Sequence, residues 1–123
     1  MIGLFMAGVF SPAAGSAQDL DGQRLFRQRC AGCHSLESGR SAAGPRLDTV
    51  IGREAGSVEG ARYSDAMRNA SIIWSAETLE TFLSAPVQMV PGTRMRNAIP
   101  NKNERAAIIG YLQNLSSEEG DLP

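Results

Sequence analysis

The five residues "CAGCH" (30–34) contain both cysteines and the only histidine of this 123-residue chain. Cys30 and Cys33 are three positions apart, and His34 follows Cys30 by four positions. On a helical turn these spacings bring the three side chains to one side of the backbone. Two thiols can then react with the two vinyl groups of a haem while the adjacent imidazole reaches its iron. Because C-x-x-C-H is the attachment signature of c-type haem, the motif predicts one covalently bound haem c.

Two other kinds of site use similar residues. A thioredoxin-like dithiol places its C-x-x-C between a strand and a helix, whereas here a helical pattern precedes the motif and no strand is evident. Two cysteines this close would in any case form a redox motif rather than a structural disulfide. A zinc site needs further cysteine or histidine ligands, and the sequence has none outside 30–34. The motif therefore favours haem over both alternatives.

Length and composition indicate one small domain built around a cofactor. A chain of 123 residues has room for a single domain with a modest core. Aromatic residues make up only 6% of it, so a large flat group would supply much of the interior. The net charge of −1 gives no indication of a nucleic-acid partner.

The N-terminal stretch "MIGLFMAGVFSPAAGSAQDLDG" (1–22) is typical of a targeting segment. An apolar run over 2–10 is followed by small residues, and Gly15-Ser16-Ala17 forms a signal-peptidase site. The run is about half of the ~20 apolar residues that a membrane span needs. A positively charged start is missing, which leaves a misplaced start codon or a short uncleaved anchor as alternatives. We expect a signal peptide at 1–17 and an exported, periplasmic protein.

The rest of the chain predicts helices separated by long loops. We expect a first helix from about Asp21 into the CAGCH motif, and a short helix capped by Ser64. Ser75 caps a third helix that Pro86 ends, and Trp74 can pack on Leu79 as a hydrophobic staple. The last helix begins near Asn101, with Glu104 as second member of a capping box and Gly110 at a close approach to another helix. The predicted domain covers 18–116, and an acidic flexible tail covers 117–123.

The second axial ligand of the iron has to come from a methionine, since the chain has no second histidine. Met1 and Met6 leave with the predicted signal peptide. The remaining candidates are Met67 in the short helix and Met89 and Met95, which flank the turn "VPGTR" (90–94). Position along the chain does not choose between Met89 and Met95, and each can equally be a core filler.

Taken together, these motifs make the sequence similar to the class I cytochromes c, the soluble bacterial and mitochondrial type, over roughly 22–115. The matching blocks are "CAGCH" (30–34), "GPRL" (44–47), "IGREAGSVEGARYSDAM" (51–67), "IIWSAETLETFLSAP" (72–86), "VPGTRM" (90–95) and "IIGYL" (108–112). The resemblance implies an all-α fold, with a few helices and long loops wrapped around one haem. It also implies that the N- and C-terminal helices cross, with Gly22, Phe26 and Tyr111 at the crossing.

The resemblance also implies the site residues. His34 would be the proximal ligand and Met95 the distal one, while the carbonyl of Pro45 would bind the other nitrogen of His34. Three residues match positions that neutralise or hydrogen-bond a buried haem propionate, namely Arg53, Tyr63 and Trp74. For Trp74 a role as a core residue and staple remains equally open.

Three departures from the family pattern bear on the reduction potential and on the Met95–iron bond. Phe82 stands where the family often has a tyrosine whose hydroxyl approaches the methionine sulfur. Asn97 replaces an aromatic residue beside the haem edge. Met67 occupies a position that often carries a polar residue near an internal water.

Haem held by histidine and methionine has both axial positions filled, which suits a carrier of single electrons rather than an enzyme. We expect a monomer without stable membrane insertion. Its redox partners would have acidic docking surfaces and meet a basic rim formed by Arg27, Arg29, Arg46 and Arg94. The alternatives are the haem subunit of a larger periplasmic oxidoreductase complex, and a haem sensor or peroxidase whose distal ligand leaves.

Overall fold

The computed structural model describes residues 3, 8, 16–37 and 42–120. Its helices are α1 (Ser16–Arg29), α2 (Asp65–Arg68), α3 (Ala76–Ser84), α4 (Pro86–Met89) and α5 (Lys102–Gly120). Within these described stretches the β-structure is an isolated antiparallel bridge between Glu54 and Ile73, so the predicted all-α class is confirmed. No helix of this part of the chain is long and apolar enough to cross a membrane.

The short central helices begin where the sequence predicts. Ser64 accepts a hydrogen bond from the Met67 amide, and Ser75 accepts one from the Thr78 amide, so both N-caps are confirmed. At α3 the Thr78 hydroxyl also accepts from the Ser75 amide, which completes a capping box. Pro86 ends α3 as expected but then occupies the first turn of α4, where a loop was predicted. Proline suits that position because the first amides of a helix have no partner within it.

Helices α1 and α5 cross at a close contact, as the resemblance implies. A Cβ on Gly22 would overlap the Ala107 carbonyl oxygen and lie 2.8 Å from Cβ of Tyr111. The rings of Phe26 and Tyr111 pack beside this point, with centroids 5.7 Å apart. Only glycine at position 22 therefore allows the two helices to approach this closely.

Two expectations about α5 are wrong. A Cβ on Gly110 would meet nothing within 4 Å, so this glycine does not mark a close approach. Asn101 does cap the helix, accepting from the amides of residues 103 and 104. Glu104, however, accepts from Arg29 of α1 at 2.9 Å instead of completing a capping box. The capping-box pattern concerns only residues at one end of a helix, so it could not indicate that Glu104 pairs with Arg29 of another helix.

The first and last helices extend past the predicted bounds of the domain, 18–116. Helix α1 begins at Ser16 and so includes the last two residues of the predicted signal peptide. The rest of that segment, apart from residues 3 and 8, lies outside the described residues. Helix α5 runs through Gly120, so residues 117–120 of the predicted tail are helical, and 121–123 lie outside the described residues. The domain boundaries stay predictions.

The core lies between the α1–α5 pair and α3, and long loops close over it. Ile108 of α5 is the most deeply buried large side chain, with 1% of its surface exposed. The loop of residues 42–64 is tied to the strand-like stretch before α3 by Gly52 N to Trp74 O (2.7 Å) and Ala55 N to Ile72 O (2.7 Å). These loops, rather than further helices, form the other walls of the interior.

Candidate functional site

The CAGCH motif follows directly on α1 and keeps its turn. The amide of Cys30 donates to Phe26 O, and the amide of His34 donates to Cys30 O at 2.9 Å. Cys30 is buried and Cys33 is exposed. Before haem is attached to it, burial raises the pKa of the Cys30 thiol to about 11. The turn thus sets one thiol inside the molecule and the other at its surface.

The ring of His34 is fixed by two neighbouring residues. Its Nδ1 lies 2.7 Å from the carbonyl oxygen of Pro45, to which the ring N–H donates, as the resemblance implies. Gly44 packs directly on the ring, since a Cβ there would be 2.5 Å from Cε1 and 2.7 Å from Nδ1. Burial lowers the pKa of His34, and the hydrogen bond to Pro45 partly offsets this effect. The imidazole is therefore neutral, with the lone pair of Nε2 available for a metal.

An apolar cavity opens in front of this ring. It encloses about 740 Å³ of empty space, including the part open to solvent. Cys30, His34 and Pro45 line one part of it. The other walls are mainly aliphatic: Leu47, Val50, Leu79, Leu83, Ile108 and Leu112. A cavity with these walls accepts a large apolar group and excludes most water from it.

Two of the three candidate methionines, Met67 and Met95, line the cavity, and Met89 is not among its lining residues. Met95 follows a turn in which its amide donates to the buried hydroxyl of Thr93 at 3.2 Å. Gly92, at φ +95°, lets this turn pack on α2, since a Cβ there would lie 3.1 Å from Cβ of Ala66. The turn that carries Met95 and the helix that carries Met67 are therefore neighbours.

The three residues assigned to the propionates lie near one another but differ in their surroundings. Tyr63 and Trp74 line the cavity. The hydroxyl of Tyr63 accepts from the amide of Val58 at 3.1 Å and retains its own proton to donate. Arg53 is not a lining residue, and its guanidinium donates to the Arg46 carbonyl (2.5 Å) and to Thr49 Oγ1 (3.0 Å).

Burial lowers the pKa of Arg53, and the neighbouring Tyr63 is the first of the groups that partly offset this effect. Asp48 lies beside this cluster with 5% of its surface exposed. One carboxylate oxygen is 3.5 Å from the Arg46 guanidinium, and the other, Oδ1, has no hydrogen-bond partner among the described residues. Sequence reasoning missed this buried carboxylate, because an aspartate after "GPRL" has no pattern that marks it as buried.

The positions that depart from the family pattern have different surroundings. Phe82 is buried in the cavity wall, and its ring centroid is 5.2 Å from that of Trp74. Met67 also lines the cavity, so both of these positions contribute apolar side chains to its wall. Asn97 is exposed and does not line the cavity.

These residues fit a haem. The cavity is apolar, it is bordered by a cysteine of the CAGCH turn, and a fixed neutral imidazole and thioether side chains face it. This combination defines the class of helical proteins that hold a covalently attached c-type haem.

Comparison with known proteins agrees with this class. The family described as cytochrome c matches residues 20–116. Cytochrome c of Euglena viridis is 44% identical over 95 residues, which cover 76% of this chain and 93% of the relative. Cytochrome c2 of Rhodoblastus acidophilus is 37% identical over 99 residues, covering 79% of this chain and 92% of the relative. The cytochrome c-type cyt cy of Rhodobacter capsulatus is 39% identical over 105 residues, but these cover only 52% of that protein.

The chain belongs to the cytochrome c family. It carries one haem c, attached covalently through Cys30 and Cys33, and it is an electron-transfer protein rather than an enzyme.

Proposed function

We propose that this protein carries single electrons between redox proteins, with His34 and Met95 as the axial ligands of its haem iron. The bound haem supplies the one-electron couple between ferric and ferrous iron. The observation that carries the proposal is that His34 and Met95 line one apolar cavity together with Cys30.

The protein's own residues would prepare this site for electron transfer. Pro45 and Gly44 hold the imidazole of His34 in one orientation, so this ring would keep its position whichever charge a bound haem iron carried. Thr93 holds the amide of Met95 and so fixes the backbone of the distal ligand. The aliphatic walls exclude water, which keeps the reorganisation of solvent small during transfer. A thioether ligand in such a setting raises the reduction potential.

At the propionate edge, we propose that Tyr63 donates its hydroxyl proton and that Trp74 contributes a second contact. Both line the cavity. Arg53 does not line the cavity, and its guanidinium already donates to Arg46 O and to Thr49 Oγ1. It would therefore stabilise the propionate through its positive charge and not through a direct hydrogen bond. A buried carboxylate requires such partners to remain ionised.

The distal ligand can be tested with a pair of variants. The ferric wild-type protein should be low-spin with a methionine–iron charge-transfer band, and its ferrous form should not bind carbon monoxide. Met95→Ala should lose the band and bind carbon monoxide rapidly. Met67→Ala is the matched control, since it removes the other thioether of the same cavity and should keep the band. Loss of the band in Met67→Ala alone would make Met67 the ligand, and rapid carbon monoxide binding by the wild type would favour a sensor or enzyme.

For the partners, we propose redox proteins with acidic docking surfaces. Of the four arginines expected in the basic rim, Arg29 and Arg46 are engaged with Glu104 and Asp48. Arg27 and Arg94 are exposed and form no ion pair within the described part of the chain, which supports these two as the docking charges.

Arg94→Gln should slow oxidation of the ferrous protein by membranes from the organism of origin at low ionic strength, and the difference should vanish at high salt. Arg68→Gln is the control, because Arg68 is already paired with Asp65 at 2.7 Å. Rates that do not depend on ionic strength would contradict electrostatic docking. Stable co-purification with one large partner would favour the subunit of an oxidoreductase complex.

We further propose that the protein is exported to the periplasm. The apolar run of residues 2–10 and the Gly-Ser-Ala at 15–17 support this proposal. N-terminal sequencing of the mature haem protein should then begin at Gln18 in a periplasmic fraction. A protein that retains Met1 and stays with the membrane would instead carry an uncleaved anchor.

A further inference from the structure

The segment that carries Met95 runs from α4 to α5 and is held firmly only at its two ends. At its start, the amide of Val90 donates to Pro86 O, and the amide of Thr93 donates to Val90 O. At its end, Ile99 is buried, and its amide donates to Leu83 O of α3 at 2.8 Å. The three residues between Met95 and Ile99 are exposed. The backbone next to Met95 on its C-terminal side thus depends on the attachment at Ile99.

One side chain of α5 completes that attachment. Nη1 of Arg105 donates to the carbonyls of Ile99 (2.8 Å) and Pro100 (3.0 Å). Its Nε donates to Glu80 Oε1 of α3 at 2.8 Å. The Arg105 side chain is only 12% exposed, whereas that of Glu80 is 41% exposed. A largely buried, planar guanidinium with three partners thus joins α5, α3 and the end of the Met95 segment at one point.

We propose that Arg105 is a positioning residue for Met95, and that its clamp on Ile99 and Pro100 sets how readily the methionine leaves the iron. The inference rests on the proposed function, in which Met95 is the distal ligand. Four residues span at most about 14 Å when extended, so an anchored Ile99 limits how far the backbone at Met95 can swing. With the clamp broken, the segment gains freedom at its C-terminal end while Thr93 still holds the other end. Breaking the clamp therefore favours the detached state of Met95 without removing the ligand itself.

Imidazole added to the ferric holoprotein measures this directly. It reaches the iron only when Met95 has left, so its apparent affinity is proportional to the population of the detached state. Binding is followed by the loss of the methionine–iron charge-transfer band. Arg105→Gln should raise the apparent affinity about tenfold, because it removes charge-assisted hydrogen bonds from the carbonyls of the buried Ile99 and of Pro100. Arg105→Lys should give a smaller rise, since one compact ammonium cannot reach all three partners.

The control is Glu104→Gln on the neighbouring residue of the same helix. It breaks the ion pair with Arg29 that joins α5 to α1. In the described part of the chain, neither of these two side chains forms a hydrogen bond with residues 90–100. Its imidazole affinity should stay within twofold of the wild-type value even if its melting temperature falls. An equal rise in Glu104→Gln and Arg105→Gln would overturn the proposal, because the effect would then follow general loss of stability.

Unchanged affinity in Arg105→Gln would also overturn it. If Arg105→Gln fails to mature with haem, Arg105→Lys and Glu80→Gln test the proposal instead. An imidazole affinity equal to that of the wild type in both variants would refute the clamp. The failure of the proposed function has a different signature. In that case Met95→Ala and the wild type would bind imidazole equally well, whatever the Arg105 variants do.

Discussion

The crossing of α1 and α5 allows a sharp prediction, because the two helices contain one glycine that is required and one that is not. At Gly22 an added methyl group would overlap the Ala107 carbonyl oxygen and lie 2.8 Å from Cβ of Tyr111, where ordinary contacts begin near 3.4 Å. At Gly110 it would meet nothing within 4 Å. The substitutions Gly22→Ala and Gly110→Ala are therefore chemically identical and differ only in their surroundings.

The two effects should have opposite signs. In a helix interior alanine is about 1 kcal/mol more favourable than glycine, so Gly110→Ala should stabilise the protein by about that amount. Gly22→Ala gains the same propensity but has to push a helix backbone away by more than about half an ångström. Overpacking of this kind costs about 1–3 kcal/mol, and a backbone carbonyl cannot rotate out of the way, so the upper end applies. The net loss at Gly22 is about 2 kcal/mol, and the variants should differ by about 3 kcal/mol.

Guanidinium unfolding of the ferric holoproteins, followed by far-ultraviolet circular dichroism, gives the free energy of unfolding of each variant. The covalent haem remains on the chain in the folded and in the unfolded state, so loss of cofactor does not affect the difference in free energy of unfolding between the variants. Two variants of equal stability, or a Gly22→Ala protein at least as stable as the wild type, would refute the close crossing of α1 and α5.

Three further substitutions test local features of the fold in the same assay. Among the described non-glycine residues, Ser71 has a positive φ (54°), a backbone conformation that glycine adopts without strain. Ser71→Gly should therefore raise the free energy of unfolding by about 0.5–1 kcal/mol. A loss of stability would contradict the strain at this site. Ser75→Ala removes the N-cap of α3 and should cost about 1 kcal/mol, whereas the exposed Ser84→Ala at the other end of α3 should cost much less. Glu104→Gln breaks a partly exposed ion pair with Arg29 and should cost no more than about 1 kcal/mol, a difference that shrinks as salt is added; a salt-independent loss would point to another cause.

Local patterns in the sequence determined much of this protein. The CAGCH motif specifies the covalent haem, because its chemistry requires two thiols and an imidazole on a single turn. The starts of α2 and α3 follow from Ser64 and Ser75, since an N-cap acts on amides only two or three residues away. The resemblance of whole blocks to the cytochromes c added the all-α fold and the crossing of the terminal helices, both of which are confirmed.

Only the tertiary structure decided which residues meet across the chain. It brings Met67 and Met95, but not Met89, to the cavity wall, and it distinguishes Gly22 from Gly110. It pairs the carboxylate of Glu104 with the guanidinium of Arg29, whereas the local motif predicts that Glu104 caps α5. The clamp of Arg105 on the Met95 segment has no sequence signature at all. The physical reason is common to these cases: a cap or attachment motif acts within one turn, whereas packing and ion pairs between elements depend on where the folded chain brings distant side chains together.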